Sequence, residues 1–221
     1  MATENEKVLA EAQKLYNEGK WPESNLLIDG LTIAEDEEMA EARRLRGWNY
    51  YYIGTKGLDD KQASLGRSKA AFQYALSITS DKKKKISIMN GLPLTFWVLG
   101  EQEWAWHLSD RAIEEFPDEP SVWNTRSILF RWAKDFKGSV EVCEQVYEKA
   151  LLKDDYRTAG QAKQNKADAL KELGQINEAR DEYASAVGLY KMFEKRTGQS
   201  AQFHIDGVSK KILALGALPE E

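Results

Sequence analysis

The chain has 221 residues and a mass of 25.2 kDa, enough for one substantial domain or two small ones with a core that needs no covalent staples. Thirty-one basic side chains against thirty-six acidic ones give a formal charge of −5, which favours solubility and provides no general attraction to phosphate backbones. The single cysteine, Cys143, excludes an internal disulfide framework and fits a reducing compartment, so a cytoplasmic location is expected. The start MATENEKVLAEAQ lacks the basic and apolar segments of a signal peptide, and no run reaches the apolar length of a membrane span.

Apolar residues recur at three- and four-residue steps and alternating strands are absent, so the reading is all-α. Val8, Ala12, Leu15 and Tyr16 form a first stripe; Leu26, Leu27, Leu31 and Ala34 form a second. Between them Glu18-Gly19-Lys20-Trp21-Pro22 reads as a short turn, with Pro22 just inside a new helix. Helices are expected at 40–53 and 63–78, then a less regular stretch at about 82–99, followed by 101–116. The segment 123–133 pairs with 138–152, and 159–173 with 176–193. A last helix at about 201–215 is ended by Gly216 and Pro219.

Repetition is the stronger signal. In the second helix of each pair a larger residue precedes a small or aliphatic one by three: Ile28/Leu31, Phe72/Ala75, Ser109/Ala112, Tyr147/Ala150 and Tyr183/Ala186. The second members lie 44, 37, 38 and 36 residues apart. A hairpin of this length cannot bury its apolar face alone, so stacking must supply the core. The expected architecture is an α-solenoid of about five hairpins, its exposed end covered by the final helix.

These units resemble tetratricopeptide repeats. The fifth carries Ala167, Leu170, Gly174, Ile176, Ala179, Tyr183 and Ala186 in the family's order, and the first carries Ala12, Leu15, Gly19, Trp21, Ser24, Ile28 and Leu31. The third has Phe96, Gly100, Ala105, Ser109, Ala112 and the closing Pro117. The resemblance implies one right-handed superhelix over 1–221, with repeats at about 4–37, 40–80, 86–118, 120–155 and 160–193 and a capping helix at about 201–215. There are departures. About nine extra residues precede Ser68, and the fourth register can be drawn through Ser139 or through Cys143. Pro93 stands inside a first helix, where it removes an amide donor and clashes one turn back, so that helix is expected to kink or to start late.

The segment FWVLGEQEWAWHLSDRAIEEFP at 96–117 concentrates reactive-looking residues. Glu101 and Glu103 sit near a helix N-terminus, where carboxylates are favourable without any catalytic task. Glu103/His107 and Asp110/Glu114 share helical faces, but two histidines and one cysteine are too few for a zinc site, and no metal or cofactor is expected. Nucleophile elbow, phosphate loop and dinucleotide fingerprint are all missing, so the chain reads as no enzyme. Cys143 reads as a buried small hydrophobe. One KKKK patch at 82–85 in an acidic chain reads as solvated surface or a contact for an acidic partner, and nucleic acid is disfavoured.

The resemblance implies instead a groove, lined by the first helices, that holds a protein or peptide segment. Carried across, its positions are Arg44, Trp48, Tyr51 and Tyr52; Asn90, Leu94 and Trp97; Asn124, Ile128, Arg131 and Trp132; and Gln164, Asn165, Asp168 and Lys171. Aromatic and arginine side chains anchor partners by burying large areas while keeping polar handles, although WNYYY at 48–52 could equally pack the helices together. The family's carboxylate clamp needs lysine and asparagine where Leu9 and Gln13 stand, so a chaperone-tail adaptor is not implied. The expected function is a non-catalytic interaction scaffold with a protein or peptide partner and no membrane role. The alternative is self-assembly, with a homodimer seam through Trp104 and Trp106.

Overall fold

The computed structural model describes residues 3–216; Pro219, expected to mark the end of the last helix, lies outside them. Every regular element among the described residues is a helix: α1 (Glu4–Asn17), α2 (Trp21–Asp29), α3 (Asp36–Lys56), α4 (Lys61–Ile78), α5 (Lys82–Val98), α6 (Gln102–Glu115), α7 (Pro120–Trp132), α8 (Phe136–Leu152), α9 (Tyr156–Glu172), α10 (Ile176–Thr197) and α11 (Gln202–Gly216). The chain divides into two compact units, Met1–Glu115 and Phe116–Glu221, called unit 1 and unit 2 below. Within each, successive helices pack on one another. Alternate helices also touch: α1 on α3 and α3 on α5 in unit 1, α7 on α9 in unit 2. Each unit is thus solenoid-like, built of stacked helix hairpins.

Local chemistry sets the helix ends. Thr3 and Glu6 form a capping box at α1. Asp60, Asp81, Asp135 and Asp155 cap α4, α5, α8 and α9, each carboxylate accepting the amide three residues on. Helices α1, α3, α5 and α9 end on left-handed glycines: Gly19 (φ 78°), Gly57 (68°), Gly100 (87°) and Gly174 (79°). The turn after α7 places Lys134 in the same conformation (φ 64°), although its Cβ makes that unfavourable.

The helices of a pair cross where small residues meet. Ser24 donates to the Ala12 carbonyl (2.9 Å), Ser68 to Gly47 (2.7 Å) and Ser139 to Ser127 (3.0 Å). Ser139 follows Ser127 by 12 residues, as Ser24 follows Ala12, so the fourth register runs through Ser139. Cys143 and Val146 then hold the places of Ile28 and Leu31. The pair Tyr147/Ala150 falls one turn later, where Ala150 packs with Ala159 and Leu189. In the second pair the extra residues are absorbed by a 21-residue α3.

Helix α5 runs unbroken from Lys82 with Pro93 in its interior, so it does not start late. Helix α2 is shorter than its apolar stripe suggests: it stops at Asp29, leaving Leu31 and Ala34 beyond it. In unit 1 the fully buried Phe72 ring packs directly against two glycines. A Cβ added to Gly47 or to Gly91 would fall 2.5 Å from its ring, so both glycines are there to make room.

Candidate functional site

The first-helix face of unit 1 is built around Arg44 and Trp48 on α3. Arg44 pairs with Glu41 (2.6 and 2.8 Å), and donates to Gln13 on α1 (2.8 Å) and to Ser87 on α5 (3.2 Å). Trp48 Nε1 donates to the same Ser87 hydroxyl at 3.1 Å. Around them the rings close on one another. Tyr52 stacks on Trp21 at 5.0 Å and lies 6.1 Å from Trp48 and 6.0 Å from Tyr16. Tyr51 and Phe72 meet Trp48 edge-on at 5.8 and 5.5 Å. WNYYY is therefore largely consumed by helix packing. Beneath it Asn49, unremarked in the sequence, is fully buried and donates to Ser24 and Asn25.

Asn90 and Trp97 are half-buried on α5, and Trp97 meets Trp106 edge-on at 5.8 Å. Trp104 is 58% exposed, beside Phe96 and His107. In the KKKK patch, Lys84 is tied to the Glu37 carboxylate and carbonyl. Lys84, the Ser80 amide and the Thr79 hydroxyl together hold the Glu37 carboxyl far below the usual carboxylate range.

In unit 2, Asn124 and Asn165 are both buried and bond to each other, Asn165 Nδ2 donating to Asn124 Oδ1 at 2.9 Å. They join α7 to α9. One turn or so along α9 stands Asp168, whose side chain is 11% exposed and gathers three donors. Arg131 on α7 reaches it at 3.1 Å, Lys211 on α11 at 2.6 and 2.8 Å, and the Tyr183 hydroxyl on α10 donates at 2.5 Å. Burial, and then the adjoining Asp168 carboxylate, push the Tyr183 hydroxyl far above its ordinary titration range, so it remains a neutral donor.

This four-helix junction walls a cavity of about 640 Å³. Its charged lining is Arg131, Lys134, Lys171 and Lys211 with Asp168 and Glu172; its apolar lining includes Trp132, Phe136, Tyr183 and Leu215. Arg131, Trp132, Asp168 and Lys171 were named from the repeat pattern. Lys134, Phe136 and Lys211 were not. Lys134 had a sequence signal, since it stands where the other first helices end in glycine. Lys211 had none, because its role depends on how α11 packs.

A second ionic cluster joins α8, α9 and α10. Glu182 accepts from Lys163 (2.8 Å) and Lys166 (2.6 Å), and Lys166 also meets Glu144. Burial raises the Glu182 pKa, but the two lysines outweigh it and the net shift is downward. Burial, partly offset by the hydroxyls of Ser127 and Ser139, pushes the Cys143 thiol up to about 11, which fits its reading as a buried hydrophobe rather than a nucleophile. Among the described residues no three His, Cys, Asp or Glu side chains are grouped to hold a metal, and no helix is long and apolar enough to cross a membrane.

No family model and no curated protein sequence matches the chain. Its fold is similar to that in the crystal structure of a Rap protein complexed with competence and sporulation factor, at 12% sequence identity and a TM-score of 0.55. The likeness spans 97% of this chain and 75% of that one. At that identity it is a likeness of fold alone: all-helical, with packed helix hairpins.

Proposed function

We propose that the chain is a non-catalytic binding protein that holds a segment of a protein or peptide partner against its first helices. In this reading α1–α10 are five hairpins of tetratricopeptide type and α11 is their cap. The observation that supports it is the cavity of unit 2, whose volume of about 640 Å³ can hold several side chains. Its chemistry suits recognition rather than turnover. Asp168 is saturated by three donors, and the Tyr183 hydroxyl is held neutral, so neither is poised as a general base. Arg131 and Trp132 combine a fixed guanidinium with an aromatic wall, the side-chain types that dominate binding hot spots. Asn124 and Asn165 hold α7 and α9 in register, while Arg44, Trp48, Tyr51 and Tyr52 do the same for α3 and its neighbours. A similar fold that carries a bound factor, that of the Rap protein, agrees with this role.

The test is selection of a random-peptide library on the immobilised chain, in parallel with a Trp132→Ala variant. Enrichment on the wild type that falls away on the variant is expected. Failure to enrich any sequence over bare matrix would sink the reading. A second reading, self-association, is favoured by one observation, the exposure of Trp104. Sedimentation over a concentration series, with Trp104→Ser as comparison, decides it: a dimer abolished by the substitution supports it, and a concentration-independent monomer removes it.

A further inference from the structure

We propose that the unit 2 cavity recognises an acidic segment, seating a carboxylate between Lys134 and Lys171 and a neighbouring apolar side chain against Trp132 and Phe136. This rests on the binding reading above and names the chemistry of the partner.

Charge carries the argument first. Four cations line the cavity against two carboxylates. Asp168 already serves Arg131, Lys211 and Tyr183, so it has little capacity left for an incoming cation. The side chains of Lys134 and Lys171 form no ion pair or hydrogen bond among the described residues, and both are exposed at the cavity wall. The surplus is local, because the chain as a whole carries −5. It therefore favours an anion at this place rather than polyanions at large.

Backbone conformation adds a second line. Lys134 occupies a left-handed turn position that the corresponding turns after α1, α3, α5 and α9 give to glycine. Glycine would be less strained there. The conformation retained instead sets a cation on the cavity wall, and strain held in this way points toward function. Shape is the third line. Aromatic walls beside lysines fit an acidic residue flanked by a phenylalanine or leucine. A nucleic-acid strand would call for a longer basic track.

The library selection supplies the probe. Peptides enriched on the wild-type chain are sequenced, and the most enriched one is made with a fluorescein label for anisotropy titration. Aspartate and glutamate beside aromatic or aliphatic residues are expected. Lys134→Glu and Lys171→Glu should each weaken that peptide about tenfold, as reversal of a facing charge does. Lys83→Glu, on the first turn of α5, should leave it unchanged. Affinity should fall as sodium chloride is raised, since the Debye length is about 10 Å at 0.1 M. Both lysines are exposed, so thermal melts of the variants should match the wild type and exclude misfolding. Enrichment of basic or uncharged peptides, equal binding by the reversed variants, or stronger binding of a poly-thymidine oligonucleotide overturns the inference. The first two leave a peptide-binding role standing; an empty selection overturns both.

Discussion

Units 1 and 2 use the same hairpin plan to different ends. On α3 the outward positions hold Arg44, Trp48, Tyr51 and Tyr52, and these close on Trp21, Phe72 and the neighbouring helices. On α7 and α9 the corresponding face holds Asn124, Arg131, Asn165 and Asp168, and the charged members ring a cavity. The difference follows from side-chain shape. Large rings beside glycines interlock and use up their own surface. A carboxylate with three donors instead fixes its neighbours at hydrogen-bond distance and leaves space around them. Residues on the expected binding face therefore close on one another in unit 1 and border a cavity in unit 2.

The largest effect should come from breaking the interlock in unit 1. Phe72→Ala is expected to destabilise by about 3–5 kcal/mol, because the ring fills a slot that cannot fully collapse. Hydrogen exchange should localise the loss to α3–α5 and leave the amides of α9 protected as before. Gly91→Ala should cost about 1–3 kcal/mol by overpacking the same ring, and part of that should return in the double variant with Phe72→Leu. Equal loosening of α9 would show that the contrast between the units is not local.

Next in size is a pH effect confined to unit 2. His204 on α11 stacks on Tyr190 at 5.0 Å. Burial, and then Arg157, push it down to about 4 from an ordinary 6.5. Between those values the unfolded chain binds a proton that the folded chain refuses. Stability from this group is therefore complete above pH 6.5 and declines as pH falls toward 4, by about 3 kcal/mol at most. His204→Phe keeps a ring on Tyr190 and removes the titration. The wild-type-minus-variant difference in urea midpoint should widen against the wild type as pH drops from 7 to 4.5. A pH-independent difference would mean that His204 is hydrated in the folded chain.

Asp168→Asn should cost about 2 kcal/mol, less than a fully buried pair because the Lys211 side chain is 38% exposed. It leaves Arg131 and Lys211 facing each other without the carboxylate between them. Exchange should quicken in α11, the helix held to α9 through Lys211, and this is the readout that separates a junction from an isolated surface pair. Trp48→Ala in unit 1 should likewise lower stability, yet leave anisotropy of the selected peptide unchanged.

Much of the fold was legible because it is repetitive. Helix existence and order followed from three- and four-residue apolar steps, and the turns from Gly19, Gly100 and Gly174. Boundaries were less legible where caps decide them: Asp135 and Asp155 start α8 at Phe136 and α9 at Tyr156, two and three residues before the expected 138 and 159. Tyr147/Ala150 mimicked the repeat signature one turn out of place, and only the Ser139 to Ser127 bond resolves the register. Of the residues lining the unit 2 cavity, Arg131, Trp132, Asp168 and Lys171 stand at first-helix positions that the repeat pattern singles out. That Asp168 would collect Lys211 and Tyr183 was not legible, since those contacts join residues 43 and 15 positions away and depend on tertiary packing.

The smallest effect is the most discriminating, because its two readouts should move in opposite directions. Lys134→Gly removes a Cβ from a left-handed turn (φ 64°) and should stabilise unit 2 by about 1 kcal/mol, net of glycine's greater freedom in the unfolded chain. The same change removes a cation from the cavity wall, so the acidic peptide should bind more weakly although its host is firmer. Urea denaturation and anisotropy on one preparation measure both. A gain in stability with unchanged binding would mean that Lys134 is merely a strained turn residue. A gain in both would place the peptide elsewhere on the chain. Only the opposed pair of changes supports the view that unit 2 gives up turn stability to keep a charge beside its cavity, whereas unit 1 uses its first-helix face for packing.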